Sequence, residues 1–377
     1  MPTIATNMLT KGNCMASVDE KRVARVLDKL EDNHPGAQLL VTDPWSIYYL
    51  TGFYAEMYER FSGVLLKAGE PPVIFDNALY PIDEYDNAQV VVFSDTDDLT
   101  ELLAARIDLE APLGIDAQMR SGFLVPFQER GVAPSFFLGS YAVADARAHK
   151  DASERDLMRR SSAINDSVMA RAIKLVHAGV TECEIADQLL NIYREEGAQG
   201  FSFDPIVSFG VNAADPHHEP DCTVLQDNQV VLFDIGGRHN GYCSDMTRTF
   251  FWGNVDDESR RIHEIVRAAN EAAEAMIKPG VRFCDIDRTA RDVIEDAGYG
   301  PYFTHRLGHS IGLQDHEPGD VSLANEACVE SGMTFSIEPG IYLPGRTGVR
   351  IEDLVLVTDT GAEVLNAYDK QPRQLMR

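Results

Sequence analysis

In the run VVLFDIGG (230–237) a single acid, Asp234, interrupts a stretch that otherwise reads as a buried strand. An ionised carboxylate taken out of water is costly unless a cation, a metal or several donors compensate it. The following run CSDMTRTFFWG (243–253) carries a second acid, Asp245, and the Asn240-Gly241 dipeptide between the two runs is a strong hairpin signal. A four-residue loop Arg238–Gly241 would set Gly237 opposite Tyr242 and Asp234 directly opposite Asp245, where like charges repel unless a cation lies between them. A second pair follows the same plan. MTFSIEPGIYL (333–343) and GVRIEDLVLV (348–357) flank the turn Pro344-Gly345-Arg346, so that Glu338 and Glu352 become cross-strand neighbours. Between the two hairpins lies HRLGHSIGLQDHEPG (305–319), in which His309 is bracketed by Gly308 and Ser310. Four carboxylates and one imidazole form an oxygen-rich set suited to two divalent ions, manganese, cobalt or zinc rather than a thiolate metal. Such a two-ion centre activates water at neutral pH and polarises a carbonyl, which is the chemistry of hydrolysis.

These pairs need rigid elements to hold them. HAGVTECEIADQLLNIYREEGA (177–198) and KPGVRFCDIDRTARDVIEDAGY (278–299) align 101 residues apart, matching Gly179 with Gly280, Cys183 with Cys284, Ile185 with Ile286 and Gly197 with Gly298. Each copy reads as an amphipathic helix closed by a C-cap glycine, and each leads into a strand pair with two acids. An internal duplication is therefore expected over residues 149–377. It opens at a capping box, Asp151 to Glu154, followed by a helical pattern from Leu157 to Val176. Ahead of it, residues 1–148 alternate short β-rich runs (QLLVT at 38–42, QVVVF at 89–93, PLGIDA at 112–117) with helical ones, as in a small α/β domain. Nothing in that first domain gathers metal ligands or a nucleophile with its base.

The chain has 377 residues and 44% hydrophobic content, enough for two cores. A formal charge of −27 argues against nucleic-acid or anionic-membrane partners, which select basic surfaces. Six cysteines (Cys14, Cys183, Cys222, Cys243, Cys284 and Cys328) are scattered without a CxxC pair, as expected of reduced thiols in a cytoplasmic protein. The N-terminal MPTIATNMLTKGNCM lacks the apolar core of a signal peptide, and no run of 18 or so apolar residues occurs.

At the five candidate ligands the sequence resembles the pita-bread metallopeptidases, the family of methionine aminopeptidase, aminopeptidase P and prolidase. The matching motifs are Asp234 in FDIG, Asp245 in SDMTRT, His309 in GHSIG, Glu338 in SIEPG and Glu352 in VRIED. The resemblance implies an α+β pita-bread catalytic domain with an internal pseudo-twofold repeat over 149–377, preceded by a smaller α/β domain like the N-terminal domain of prolidases over 1–148. Within the family, FDPIVSFGVNAADPHHEP (203–220), HRLGHSIGLQDHE and SIEPGIYLPGRTGVRIED are most like the short bacterial Xaa-Pro dipeptidases. That likeness implies a homodimer acting on dipeptides with C-terminal proline. It gives His217 a substrate-binding role, with His218 as the adjacent alternative, gives His316 the oxyanion of the tetrahedral intermediate, and makes Glu338 both ligand and proton shuttle. Arg350, two residues before Glu352 on the same face, is expected to form an orienting ion pair with the ligand carboxylates, and Arg346 in the turn could reach a substrate carboxylate. Aminopeptidase P, or a hydrolase of another amino-acid derivative, is the alternative enzyme; a binding protein on the same fold would have lost these ligands. Two departures from the family pattern bear on the pocket: Ser310 replaces a glycine, and LQDHE replaces the commoner LEVHE.

Overall fold

Asp151 accepts from the backbone of Ser153 and Glu154 while Glu154 reaches back to the Asp151 amide, so the capping box forms and launches the helix Ala152–Ala172. Such a cap stabilises a helix start by about 1 kcal/mol. The computed structural model describes residues 16–375 except Ala55, Glu56 and Pro81; Cys14 and the N-terminal run read above lie outside the described residues. The chain divides into two units, Met1–Arg147 and Ala148–Arg377.

The first unit is built on a six-stranded mixed sheet, in spatial order Gln89–Phe93, Val73–Asn77, Gly63–Leu66, Gln38–Val41, Leu113–Ile115 and Phe136–Leu138. The four residues of Gln38–Val41 are all buried, as a central strand covered on both faces requires. The last strand, Phe136–Leu138, has only three residues and no alternating pattern, and the sequence did not announce it.

The second unit repeats itself. Helix Glu182–Glu195 and helix Phe283–Asp296 begin and end at the same 101-residue spacing, and the glycines on either side of each (Gly179, Gly197, Gly280 and Gly298) all have positive φ. Each helix packs its apolar face on its own sheet. Ile185, Leu189 and Tyr193 join Val231, Phe233 and Trp252 in one core, and Ile286, Ala290 and Ile294 join Phe335, Ile337 and Val355 in the other. Burying each such aliphatic side chain contributes about 1.5–3 kcal/mol. The preceding helices carry a matching polar anchor: Asn165 Nδ2 donates to the Ile235 carbonyl at 2.8 Å, and Asn270 Nδ2 to the Ile337 carbonyl at 2.9 Å. Each amide thus fixes a strand end beside a candidate ligand.

The two hairpins differ from one another. In the second, Gly340 pairs with Arg350 and Leu343 with Thr347 across Pro344–Arg346, and farther out Ile337 pairs with Asp353, the register expected for Glu338 and Glu352. In the first, the expected four-residue loop is not formed. Asn240 (φ 47°) and Gly241 (φ 87°) make a two-residue turn in which His239 pairs with Tyr242, and Asp234 lies opposite Thr247 rather than Asp245. Two successive positive φ values match the right-handed twist of the strands, which is why the tight loop wins. The shift is by two residues, one full side-chain period, so Asp245 stays on the face of Asp234 as a diagonal neighbour.

The two sheets are stitched where strand Met246–Trp252 meets the 350–353 segment. The Glu352 amide donates to the Thr247 carbonyl at 3.1 Å, Thr249 Oγ1 to the Arg350 carbonyl at 3.0 Å, and the buried Arg248 to Asp353 Oδ1 at 2.6 Å. Among the described residues no helix is long and apolar enough to cross a membrane.

Candidate metal centre

The stitched seam brings residues from distant parts of the chain together. Ligand atoms of Asp245, His309 and Glu352, all buried, lie within 4.8 Å of one another. His309 Nε2 is 3.5 Å from Asp245 Oδ2 and 3.7 Å from Glu338 Oε1. Gly308 makes that approach possible, since a Cβ there would sit 1.9 Å from the Ser336 carbonyl oxygen. Asp234 joins through Arg350, whose Nη2 donates to Asp234 Oδ2 at 2.6 Å. All five candidate ligands therefore converge.

Burial first, and then the charges of neighbouring acids, push Asp245 and Glu352 well above the ordinary carboxylate range, and burial lifts Glu338 to about 7 against the opposing charge of Arg350. Burial pushes His309 down, toward the neutral imidazole that a metal accepts. Asp234 Oδ1, Asp245 Oδ1 and Glu352 Oε1 are buried without a hydrogen-bond partner. Buried polar atoms are normally partnered, so three orphaned carboxylate oxygens fit a divalent cation in chemistry.

A hydrogen-bonded chain backs these carboxylates, and sequence reasoning missed most of it. Arg350, 3% exposed, also donates from Nε to Thr247 Oγ1 at 3.0 Å and from Nη1 to the Tyr342 hydroxyl at 3.0 Å and the Pro216 carbonyl at 3.2 Å. Thr247 Oγ1 donates to Glu352 Oε2 at 2.7 Å, and the Tyr342 hydroxyl meets His305 Nε2 at 2.8 Å. Thr247 could have been found, being two residues from Asp245 on the same face; Tyr342 and His305 carry no local signal.

The remaining candidates separate. His316 is exposed, with its ring 4.1 Å from that of His309, at the mouth of the centre. His217 is exposed beside Pro216, whose carbonyl Arg350 holds. His218 turns away, its Nε2 2.6 Å from the buried Glu182. Arg346 pairs with Glu258 at the surface. Asp315, in the departure LQDHE, adds a carboxylate near His309 and His316. Burial lifts it to about 6, its Oδ1 has no partner, and its Oδ2 is 3.6 Å from His316 Nε2.

Residues 156–359 match the model of metallopeptidase family M24, and residues 22–147 match the creatinase/prolidase N-terminal domain. An uncharacterized peptidase of Staphylococcus aureus (strain USA300) is 36% identical over 360 residues, 93% of this chain and 99% of that one. A dipeptidase of Pyrococcus horikoshii superposes with a TM-score of 0.87 at 32% identity, covering 94% of this chain and all of its own. A Xaa-Pro dipeptidase from Bacillus anthracis gives 0.85 at 28% identity, covering 94% of this chain and 99% of its own. With its duplicated pita-bread unit, the converging acids and His309, and an N-terminal unit of the creatinase/prolidase type, the chain belongs to metallopeptidase family M24 and is a hydrolase of peptides.

Proposed function

We propose that the chain is a dinuclear Xaa-Pro dipeptidase, cleaving the imide bond of dipeptides that end in proline. The observation that carries this reading is the convergence of Asp234, Asp245, His309, Glu338 and Glu352 with three orphaned oxygens; the dipeptidase names of the similar structures support the substrate class. Two divalent ions held by these five residues, manganese first with cobalt or zinc as alternatives, would acidify a water and polarise the scissile carbonyl. The chain's own groups do the rest. Glu338, both ligand and proton shuttle, takes the proton of the attacking water and passes it to the prolyl nitrogen. His316, at the mouth, donates to the oxyanion, and His217, on the Pro216 loop, orients the dipeptide. Arg350 holds the Asp234 carboxylate and aims it, which makes it a positioning residue. The same reading makes the protein a cytoplasmic homodimer.

The test is hydrolysis of Leu-Pro, Leu-Leu and a Xaa-Pro tripeptide by chelator-stripped protein with and without manganese. Metal-dependent cleavage of Leu-Pro alone is the expected result. Cleavage of the tripeptide would make the protein an aminopeptidase P, and silence on all three would overturn the peptide substrate.

A further inference from the structure

Glu182 marks the place where the two halves of the catalytic unit diverge. It opens helix Glu182–Glu195 where the second half has Phe283, and it is fully buried. Its carboxylate accepts from the Phe209 amide at 2.6 Å, Asn212 Nδ2 at 3.0 Å and the Asp221 amide at 3.2 Å, and it holds His218 Nε2. One side chain thus ties residues 209–221, the stretch that includes His217, to the first turn of the helix. These donors fully occupy Glu182, so the Glu182–His218–Asp221 group reads as an anchor.

The next residue is a cysteine, and it faces another. Thr181 and Val224 form an antiparallel bridge in which the Glu182 amide donates to the Thr223 carbonyl and the Leu225 amide to the Val180 carbonyl. Thr181 and Val224 are therefore a non-hydrogen-bonded pair. Beyond this bridge the helix begins, and the Cys183 amide donates to the Asp221 carbonyl at 3.1 Å, which sets the first turn of the helix against the chain at Cys222. The neighbouring Cys183 side chain raises the pKa of the Cys222 thiol. Both thiols are free, Cys222 exposed and Cys183 partly so. The second half is an internal control: its bridge joins Arg282 to Cys328, the Cys284 amide donates to the Asn325 carbonyl at 2.8 Å, and the residue in the place of Cys222 is Glu326.

We infer that Cys183 and Cys222 are a thiol–disulfide modification site, which a low-molecular-weight disulfide converts to an intramolecular bridge pinning residues 209–222 to the helix start. One cysteine thiolate attacks the small disulfide, forming a mixed disulfide and releasing one small thiolate. The second cysteine thiolate attacks the protein-bound sulfur and expels the other. Two protein thiols lose two electrons, the small disulfide becomes two thiols, and the two cysteine protons pass to them. The inference does not depend on the peptidase reading.

The experiment treats the full chain with excess oxidised glutathione, alkylates the remaining thiols and maps the peptides by mass. The expected product is a Cys183–Cys222 linked peptide without retained glutathione, reversed by dithiothreitol. In Cys183→Ser the glutathione adduct should stay on Cys222. Oxidation should also raise the thermal midpoint of the wild type by several degrees, as closing a long loop does, and slow proteolysis within 209–222. Glutathione retained on wild-type Cys222, an intermolecular dimer, a link to any other cysteine, or no reaction would each overturn it.

Discussion

Replacing Arg350 with methionine tests how the candidate centre is held together without its ions. The guanidinium has four acceptors, and three of them survive its loss. The Tyr342 hydroxyl keeps His305, the Thr247 hydroxyl keeps Glu352, and the Pro216 carbonyl lies on an exposed loop. Asp234 is different. Its Oδ2 loses the 2.6 Å partner while its Oδ1 has none. Removing one partner of a buried ion pair costs about 3–5 kcal/mol, chiefly because the remaining charge is left uncompensated. If Asp234 bears most of that cost, Asp234→Asn in the same background should return about 2 kcal/mol as a coupling energy. Divalent metal, by neutralising Asp234, should also shrink the Arg350→Met penalty by at least about 1 kcal/mol.

The chain has two tryptophans, Trp45 and Trp252, and Trp252 is buried in the catalytic unit. Urea unfolding followed by Trp252 fluorescence in a Trp45→Phe background therefore reports that unit, avoiding a single free energy for two domains. A cost below about 1 kcal/mol in chelator, or additivity of the two substitutions within about 0.5 kcal/mol, would refute the claim that Arg350 acts by holding Asp234.

Three further outcomes follow from named groups. His316→Ala should leave metal content intact and lower kcat by on the order of a hundred- to a thousandfold, whereas Asp245→Ala should lose bound metal; metal analysis of both proteins separates the roles, and loss of metal from His316→Ala would refute them. His263 is buried, with Nε2 3.1 Å from the Thr249 carbonyl, and burial depresses it to about 4. The unfolded chain takes up this proton first, so His263 contributes full stability above about pH 6.5 and loses up to about 3 kcal/mol as pH falls to 4. In His263→Phe the urea midpoint should change less between pH 7 and 4.5. Asp76 has the opposite sign: burial lifts it to about 7, so the folded first unit holds the proton longer and loses stability as pH rises from about 4 through 7. Asp76→Asn should stabilise that unit at pH 8 and do little at pH 4, read from Trp45 in a Trp252→Phe background.

What could be read from the sequence depended on how far apart the interacting residues lie. The duplication was legible because each copy is one continuous helix with glycines at both ends, and the helices Glu182–Glu195 and Phe283–Asp296 keep that spacing to the residue. The second hairpin was legible because a three-residue turn around Gly345 (φ 71°) fixes every pair beyond it. The first was misjudged by two residues, because Asn240 and Gly241 alone make the turn. That error kept Asp234 and Asp245 on one face, since the side-chain period is two; a slip of one would have turned them apart.

The support behind the acids had no such protection. Arg350 reaches Asp234 across 116 positions and Thr247 across 103, and the Arg248–Asp353 pair spans 105. No periodicity couples positions so distant; only the docking of one half of the repeat on the other brings them into contact. The same divergence between halves explains Glu182. A sequence repeat reports what the halves share, the helix and its apolar face, and is silent on what they do not. Where the second half keeps Phe283 for its core, the first has a buried carboxylate that anchors the 209–221 stretch, and that difference becomes visible only as its bonds to Phe209, Asn212, His218 and Asp221.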